Sequence, residues 1–237
     1  MAKNMVLIAR RADKLPQTCG AFEARGFSCV PLPILTVTPL DVIIPPAAKG
    51  IILTSSAAVA AARGCGLPCY TVGKKTAAAA RGAGLEVIYS GGSDAAALAE
   101  WLKENIAPTT LCHITTKQAN NKWYTILRQA DFNILPLEGY TTTYMKNLPD
   151  EVVCCLTENR VSSLVVFSVK SAQKTLELLK KNGFDPRQLD VAAAISPKVA
   201  EALAVCGVSK SRIRVAKAPL SEELINVLEQ PSFKEYG

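Results

Sequence analysis

The feature that most restricts the fold is an internal duplication held at two constant offsets. Gly73, Ala77 and Gly84 align with Ser196, Ala200 and Gly207, 123 positions later. Phe27, Pro31 and Leu32 align with Phe132, Pro136 and Leu137 at an offset of 105. A repeat decides the architecture ahead of any local reading, because each copy carries the same apolar surfaces and must bury them in the same way. In each copy short apolar runs alternate with helical stretches, an order that implies an α/β chain with parallel sheets. The 237 residues therefore divide into two copies of an α/β unit of about 110 residues.

The first copy is clearest between Gly50 and Leu85. Ile51-Ile52-Leu53 is short, apolar and rich in β-branched residues, which reads as a buried strand. Thr54-Ser55-Ser56 stands where a helix over 57–62 should begin, with hydroxyls able to accept from its first free N–H groups. A second strand, Cys69 to Val72, meets Gly73, and Lys74-Lys75-Thr76 opens another helix. The order recurs as Leu164–Phe167 followed by Ser168 to Ala172, and as Val191–Ile195 followed by Ser196-Pro197-Lys198-Val199. Helix N-termini beyond the C-terminal ends of parallel strands offer unpaired N–H groups and partial positive charge, so the expected ligand is an anion.

The remaining elements complete each copy. Val6–Ala9 is a strand ending at Arg10-Arg11, and a helix from about Leu15 to Arg25 follows, closed by Gly26. The Phe27–Ile34 run is extended, and its prolines suit an edge or a connector better than a central strand. Leu111–Ile114 is the matching strand and Ala119–Ala130 the matching helix. Ser93–Lys103 and Ser221–Leu228 are paired helices, each read as headed by a serine N-cap. Pro-containing runs near 31–40 and 136–145 are the natural crossings between lobes. Periodicity leaves open whether each copy forms its own lobe or the two exchange segments.

Composition sets the ligand class. The net charge is +7, and the pI is about 9.0. That balance suits an acidic partner, either nucleic acid or a polyanionic small molecule. Basic residues are scattered and few aromatics interleave them, which argues against nucleic acid. The eight cysteines form no C-x-x-C pair, and His113 is the only histidine, so free thiols fit better than a metal site. His113, in an apolar strand, reads as a satisfied core histidine. The apolar run at Met5–Ala9 is too short for a signal or a span, and no membrane segment is predicted, so a cytoplasmic protein is expected.

Taken in order, these pieces resemble the uroporphyrinogen-III synthase family. The matching residues are Val6–Arg10, Gly26-Phe27 with Pro31, Leu53-Thr54-Ser55 with Ala58-Val59, and Val72-Gly73 with Thr76-Ala77. They continue with Tyr140-Thr141-Thr142, Phe167-Ser168 with Ser171, Ile195 with Pro197 and Ala200, and the helix start at Pro219–Leu224. The resemblance implies exchanged segments: one lobe of 1–35 plus 145–237 and another of 36–144, joined by two extended connectors around a cleft. It implies an enzyme that needs no cofactor or metal, a lyase of tetrapyrrole and heme biosynthesis. The implied reaction closes hydroxymethylbilane into uroporphyrinogen III with inversion of the terminal ring and loss of water, in the interlobe cleft. A monomer receiving substrate from hydroxymethylbilane synthase is implied as well.

The resemblance makes Tyr140 the candidate proton donor to the departing hydroxyl; on its residues alone it reads as a connector tyrosine. Candidate substrate-binding residues are Arg10, Thr54, Ser55, Ser56, Gly73, Lys74, Lys75, Thr76, Ser168, Lys170, Pro197, Lys198 and Val199. Thr54, Ser55 and Thr76 equally suit ordinary N-caps, and the lysines equally suit a solvated surface. The family often places a hydroxyl residue where this chain has Val199, so contact there falls to backbone N–H groups. The Ile114–Lys117 segment also lacks the glycine and arginine expected of it. The competing reading is a non-catalytic two-lobed binder of a polyanionic small molecule. A nucleotide-using transferase is disfavoured, since neither G-x-G-x-x-G nor a P-loop is present.

Overall fold

A computed structural model describes residues 5–91, 94–117 and 122–230. The described chain begins with Met5–Arg11 (β1), Leu15–Glu23 (α1), Ser28–Pro39 (β2) and Gly50–Leu53 (β3). It continues through Cys69–Val72 (β4), Lys74–Gly82 (α2), Val87–Gly91 (β5), Ala95–Asn105 (α3) and Thr110–Thr115 (β6). Tyr124–Arg128 (α4), Asn133–Glu138 (β7), Tyr140–Tyr144 (β8), Asp150–Thr157 (α5) and Val161–Val166 (β9) follow. Val169–Lys181 (α6), Val191–Ala194 (β10), Pro197–Val205 (α7), Ile213–Val215 (β11) and Ser221–Glu229 (α8) close the described chain.

Contacts divide the chain into two compact units, Met1–Thr36 with Thr143–Gly237, and Val37–Thr142. The first is built on the order β11-β10-β9-β1-β2-β8, the second on β5-β4-β3-β6-β7. Reading β3, β4, β5, β6 and β7 against β9, β10, β11, β1 and β2 makes the two orders the same. The copies have therefore exchanged segments: β1 pairs in parallel with β9, and β3 in parallel with β6.

Both sheets are buried on both faces, as parallel sheets require. In the first unit Leu7 and Ala9 face a core shared with Val152, Leu176 and Leu203, while Val6 and Ile8 face Phe22 and Leu224 on the other side. In the second, Ile51 and Leu53 pack with Ala58 and Ala80, and Ile52 with Leu98 and Leu127. The central strands β1 and β3 thus carry continuous apolar runs, Val6–Ala9 and Ile51–Leu53, whose alternate side chains feed opposite layers.

Several sequence expectations are corrected here. The predicted helix over 57–62 is two short 3-10 turns, Ser56–Ala58 and Ala60–Ala62, bonded in i→i+3 steps such as Ala58 N–H to Ser55 C=O at 3.1 Å. Arg63 leaves the helical region at ψ 136°, so the alanine run ends before an α-helical nucleus can repay its ordering cost. Of the two roles read for the proline-containing run, β2 takes the connector and not the edge: it runs past the boundary at Thr36, and β8 lies beside it. The prolines are tolerated because the bonds to the second crossing, Met145 N–H to Ile34 C=O and Leu40 N–H to Gly139 C=O, begin beyond Pro33. Ser221 does not cap α8, whose N-cap is Leu220, because its hydroxyl is engaged elsewhere. Ser93 lies outside the described residues; Asp94 caps α3, accepting from the Ala96 and Ala97 N–H groups at 3.0 Å each. The helix expected from Ala119 is seen only as α4, since 118–121 lie outside the described residues.

Candidate functional site

In an open parallel sheet ligands bind at the C-terminal ends of the strands, and the candidate residues collect at that edge in each unit. In the first unit, Arg10 sits near the end of β1 and is half-buried. Its guanidinium donates to the hydroxyls of Thr18 and Ser221, the latter at 3.2 Å, and lies 4.0 Å from the centroid of the Phe167 ring. Burial, followed by repulsion from Arg11, lowers its affinity for a proton below that of an ordinary arginine, yet a guanidinium keeps its charge. No described carboxylate forms an ion pair with it, whereas the adjacent Arg11 is paired with Asp13. A half-buried cation held only by neutral groups is primed for an anion.

Two more helices of this unit, α6 and α7, start just past the C-terminal ends of β9 and β10. Ser168 caps α6, its Oγ accepting from the Ser171 N–H at 3.1 Å and donating to the Ser171 hydroxyl at 2.9 Å. Lys170 is exposed, with its ammonium 5.0 Å from the Tyr144 ring centroid. At α7, Pro197 and Lys198 are exposed but Val199 is buried in the core. The backbone N–H of Val199 is also taken, donating to Ser196 C=O at 3.1 Å. The expectation that backbone groups replace the missing hydroxyl at Val199 is therefore corrected for that residue: neither its side chain nor its N–H is open.

In the second unit, Thr54 follows β3 and does not cap a helix. Its hydroxyl instead bonds His113 Nε2 at 3.0 Å. His113 Nδ1 in turn bonds the Tyr124 hydroxyl at 2.6 Å. The imidazole is 1% exposed and stands edge-on to Trp123 at 5.0 Å. Burial lowers its pKa to about 4, so the ring is neutral at physiological pH. The expected core histidine is there, but its Tyr124 partner was not read from the sequence. The one available signal was the Trp123-Tyr124 pair in a chain with only 6% aromatics.

Ser55 accepts from the Ala57 N–H at 3.2 Å, and Ser56 begins the first 3-10 turn. That turn is too short to add a dipole, so the candidate residues that follow it stand at the N-terminus of α2. Its N-cap is Gly73, whose φ of 76° is costly for any side chain. Lys74 and Lys75 are exposed in the first turn, while Thr76 is 6% exposed and packs inward, so the capping role expected of Thr76 is corrected. Tyr140, the first residue of β8, is half-buried with its ring against the Ile51 and Leu53 core. No described residue bonds its hydroxyl.

A groove of about 580 Å³ between α7 and β11 contains Glu201, Lys210 and Val215 but none of the candidate residues. All eight cysteines are free, and burial pushes the Cys69 thiol up to about 12. Among the described residues no group of three or more His, Cys, Asp or Glu is placed to share a metal ion, and no helix is long and apolar enough to cross a membrane.

Comparison with known proteins points one way. A family model described as uroporphyrinogen-III synthase HemD matches residues 17–226. The uroporphyrinogen-III synthetase of Helicobacter pylori has a similar fold, with a TM-score of 0.64 at 14% identity, covering 95% of this chain and 98% of that one. A mutant uroporphyrinogen III synthase of Thermus thermophilus gives 0.53 at 16% identity, covering 96% and 98%. No curated protein matches the chain.

Proposed function

Because the chain belongs to the uroporphyrinogen-III synthase family, whose model spans most of its length, we propose that it closes linear hydroxymethylbilane into uroporphyrinogen III with inversion of the terminal pyrrole ring. Beyond membership, the observation that carries this reading is Arg10, a half-buried cation held by hydroxyls and a ring at a strand end. Such a group suits a substrate carboxylate, and the helix starts at Lys170 and Lys198 in the same unit add positive charge to that strand edge. A linear bilane passed on by hydroxymethylbilane synthase would be bound in this way.

The chemical step loses water. Tyr140 donates its phenolic proton as the hydroxyl leaves, and the pyrrole nitrogen lone pair pushes out the oxygen to give an azafulvene. The substituted carbon of the terminal ring attacks that methylene and forms the spiro intermediate. Cleavage and re-closure through the other carbon invert the ring, and the proton lost on rearomatisation returns to the phenolate. Once formed, the azafulvene closes readily, so most of the enzyme's task is to hold one conformation of the chain.

The test is a coupled assay in which hydroxymethylbilane is generated in place, the product is oxidised, and isomers I and III are separated. The expected outcome is flux diverted to III, with a rate fall of about a hundredfold in Tyr140→Phe, the lower range for loss of a general acid. Folded protein yielding isomer I alone would refute the synthase reading and leave a polyanion binder.

A further inference from the structure

The Thr54–His113–Tyr124 chain does more than satisfy a buried histidine. A neutral imidazole has one N–H and one bare nitrogen, and its tautomer decides which partner donates. If Nδ1 carried the hydrogen, Tyr124 would accept it, and the phenolic hydrogen would need another acceptor. Tyr124 is 4% exposed, and no described residue supplies one; a buried donor left unmet is costly. A phenol is also a stronger donor than an aliphatic hydroxyl, in keeping with the short 2.6 Å contact. The hydrogen therefore sits on Nε2, which donates to Thr54 Oγ1 across 3.0 Å.

The consequence falls on Thr54. With its oxygen accepting from His113, its own hydrogen is free to point away from the sheet. The opposite tautomer would consume that hydrogen and present only lone pairs, which repel a carboxylate. We propose that His113 is a positioning residue that, held by Tyr124, turns the Thr54 hydroxyl into an obligate donor to a substrate carboxylate at the end of β3. The substrate part rests on the synthase reading above; the tautomer does not. Trp123 and Tyr124, both edge-on to the imidazole at 5.0 and 5.7 Å, keep the ring from rotating away.

His113 is the only histidine, so labelling the protein with 15N-histidine reports this ring alone. The expected spectrum at neutral pH has a protonated Nε2 and a bare Nδ1; the reverse pattern, or an even mixture, overturns the proposal. Tyr124→Phe should mix the two tautomers while the protein stays folded, an effect that a merely structural role would not produce. Binding of uroporphyrin III, followed without turnover, should weaken about tenfold in Thr54→Val and recover in Thr54→Ser. Unchanged binding in Thr54→Val overturns the carboxylate role. Wild-type protein that binds the porphyrin and shows the Nε2–H tautomer, yet yields only isomer I, would sink the synthase reading and leave the His113 tautomer and the Thr54 donor to a carboxylate standing, without the bilane as substrate.

Discussion

Protonating His113 should cost the second unit stability in a defined pH window. The ring is buried, and burial lowers its pKa from 6.5 to about 4. At about 1.36 kcal/mol per tenfold, that gap corresponds to about 3 kcal/mol. The sign follows from proton counting. Below pH 6.5 the unfolded chain takes up a proton that the folded chain refuses until about pH 4. Stability is therefore full above 6.5, falls as pH drops, and levels off below about 4. The groups facing the ring do not offset this, since Thr54 is neutral and burial holds the Tyr124 phenol up at about 12. Carboxylates titrate in part of the same range, so the measurement is the pH dependence of the difference between wild type and His113→Gln, in which the lost ring contacts enter as an offset and the lost titration as the slope. Urea unfolding followed by tryptophan emission reads the relevant unit, because Trp101 and Trp123 both lie within Val37–Thr142. The advantage of wild type over the variant should shrink by about 3 kcal/mol between pH 7 and pH 4. A difference that stays constant across that range would refute the account of a desolvated neutral ring.

Two further substitutions probe how the edge is held. In Gly139→Ala the new Cβ would stand 2.2 Å from Ile114 Cγ2 and 3.0 Å from Ala61 Cβ. Overpacking of this kind costs about 1–3 kcal/mol, so a melting point lowered by several degrees and a loss of isomer III through the displaced Tyr140 are expected; an unshifted melting point would contradict the close packing. Asp94→Ala removes both side-chain bonds to the start of α3 and should cost about 1 kcal/mol, recovered by Asp94→Ser. Equal stability of all three proteins in thermal unfolding would show that the cap carries no energy.

What the sequence determined was local and repeated. Helices α2 and α7 begin 123 residues apart at Lys74 and Pro197, and β1 and β6 begin 105 apart at Met5 and Thr110. Apolar runs, turn residues and caps act between near neighbours, so one short pattern makes the same element twice. The anion-seeking character of the edge was legible for the same reason, as hydroxyls and lysines recur after the strands. Tertiary structure decided the rest. Whether 57–62 would coil into an α-helix depended on where Arg63 had to go. Thr76 looked like a cap and became core because Gly73 starts the helix. Arg10 meets Ser221 across 211 positions, and His113 finds Thr54 across 59. That β1 lies between β2 of its own copy and β9 of the other was likewise decided only in the assembled sheet. Such contacts exist only once the sheet has formed, since hydrogen bonds and burial act through space and leave no periodic trace along the chain.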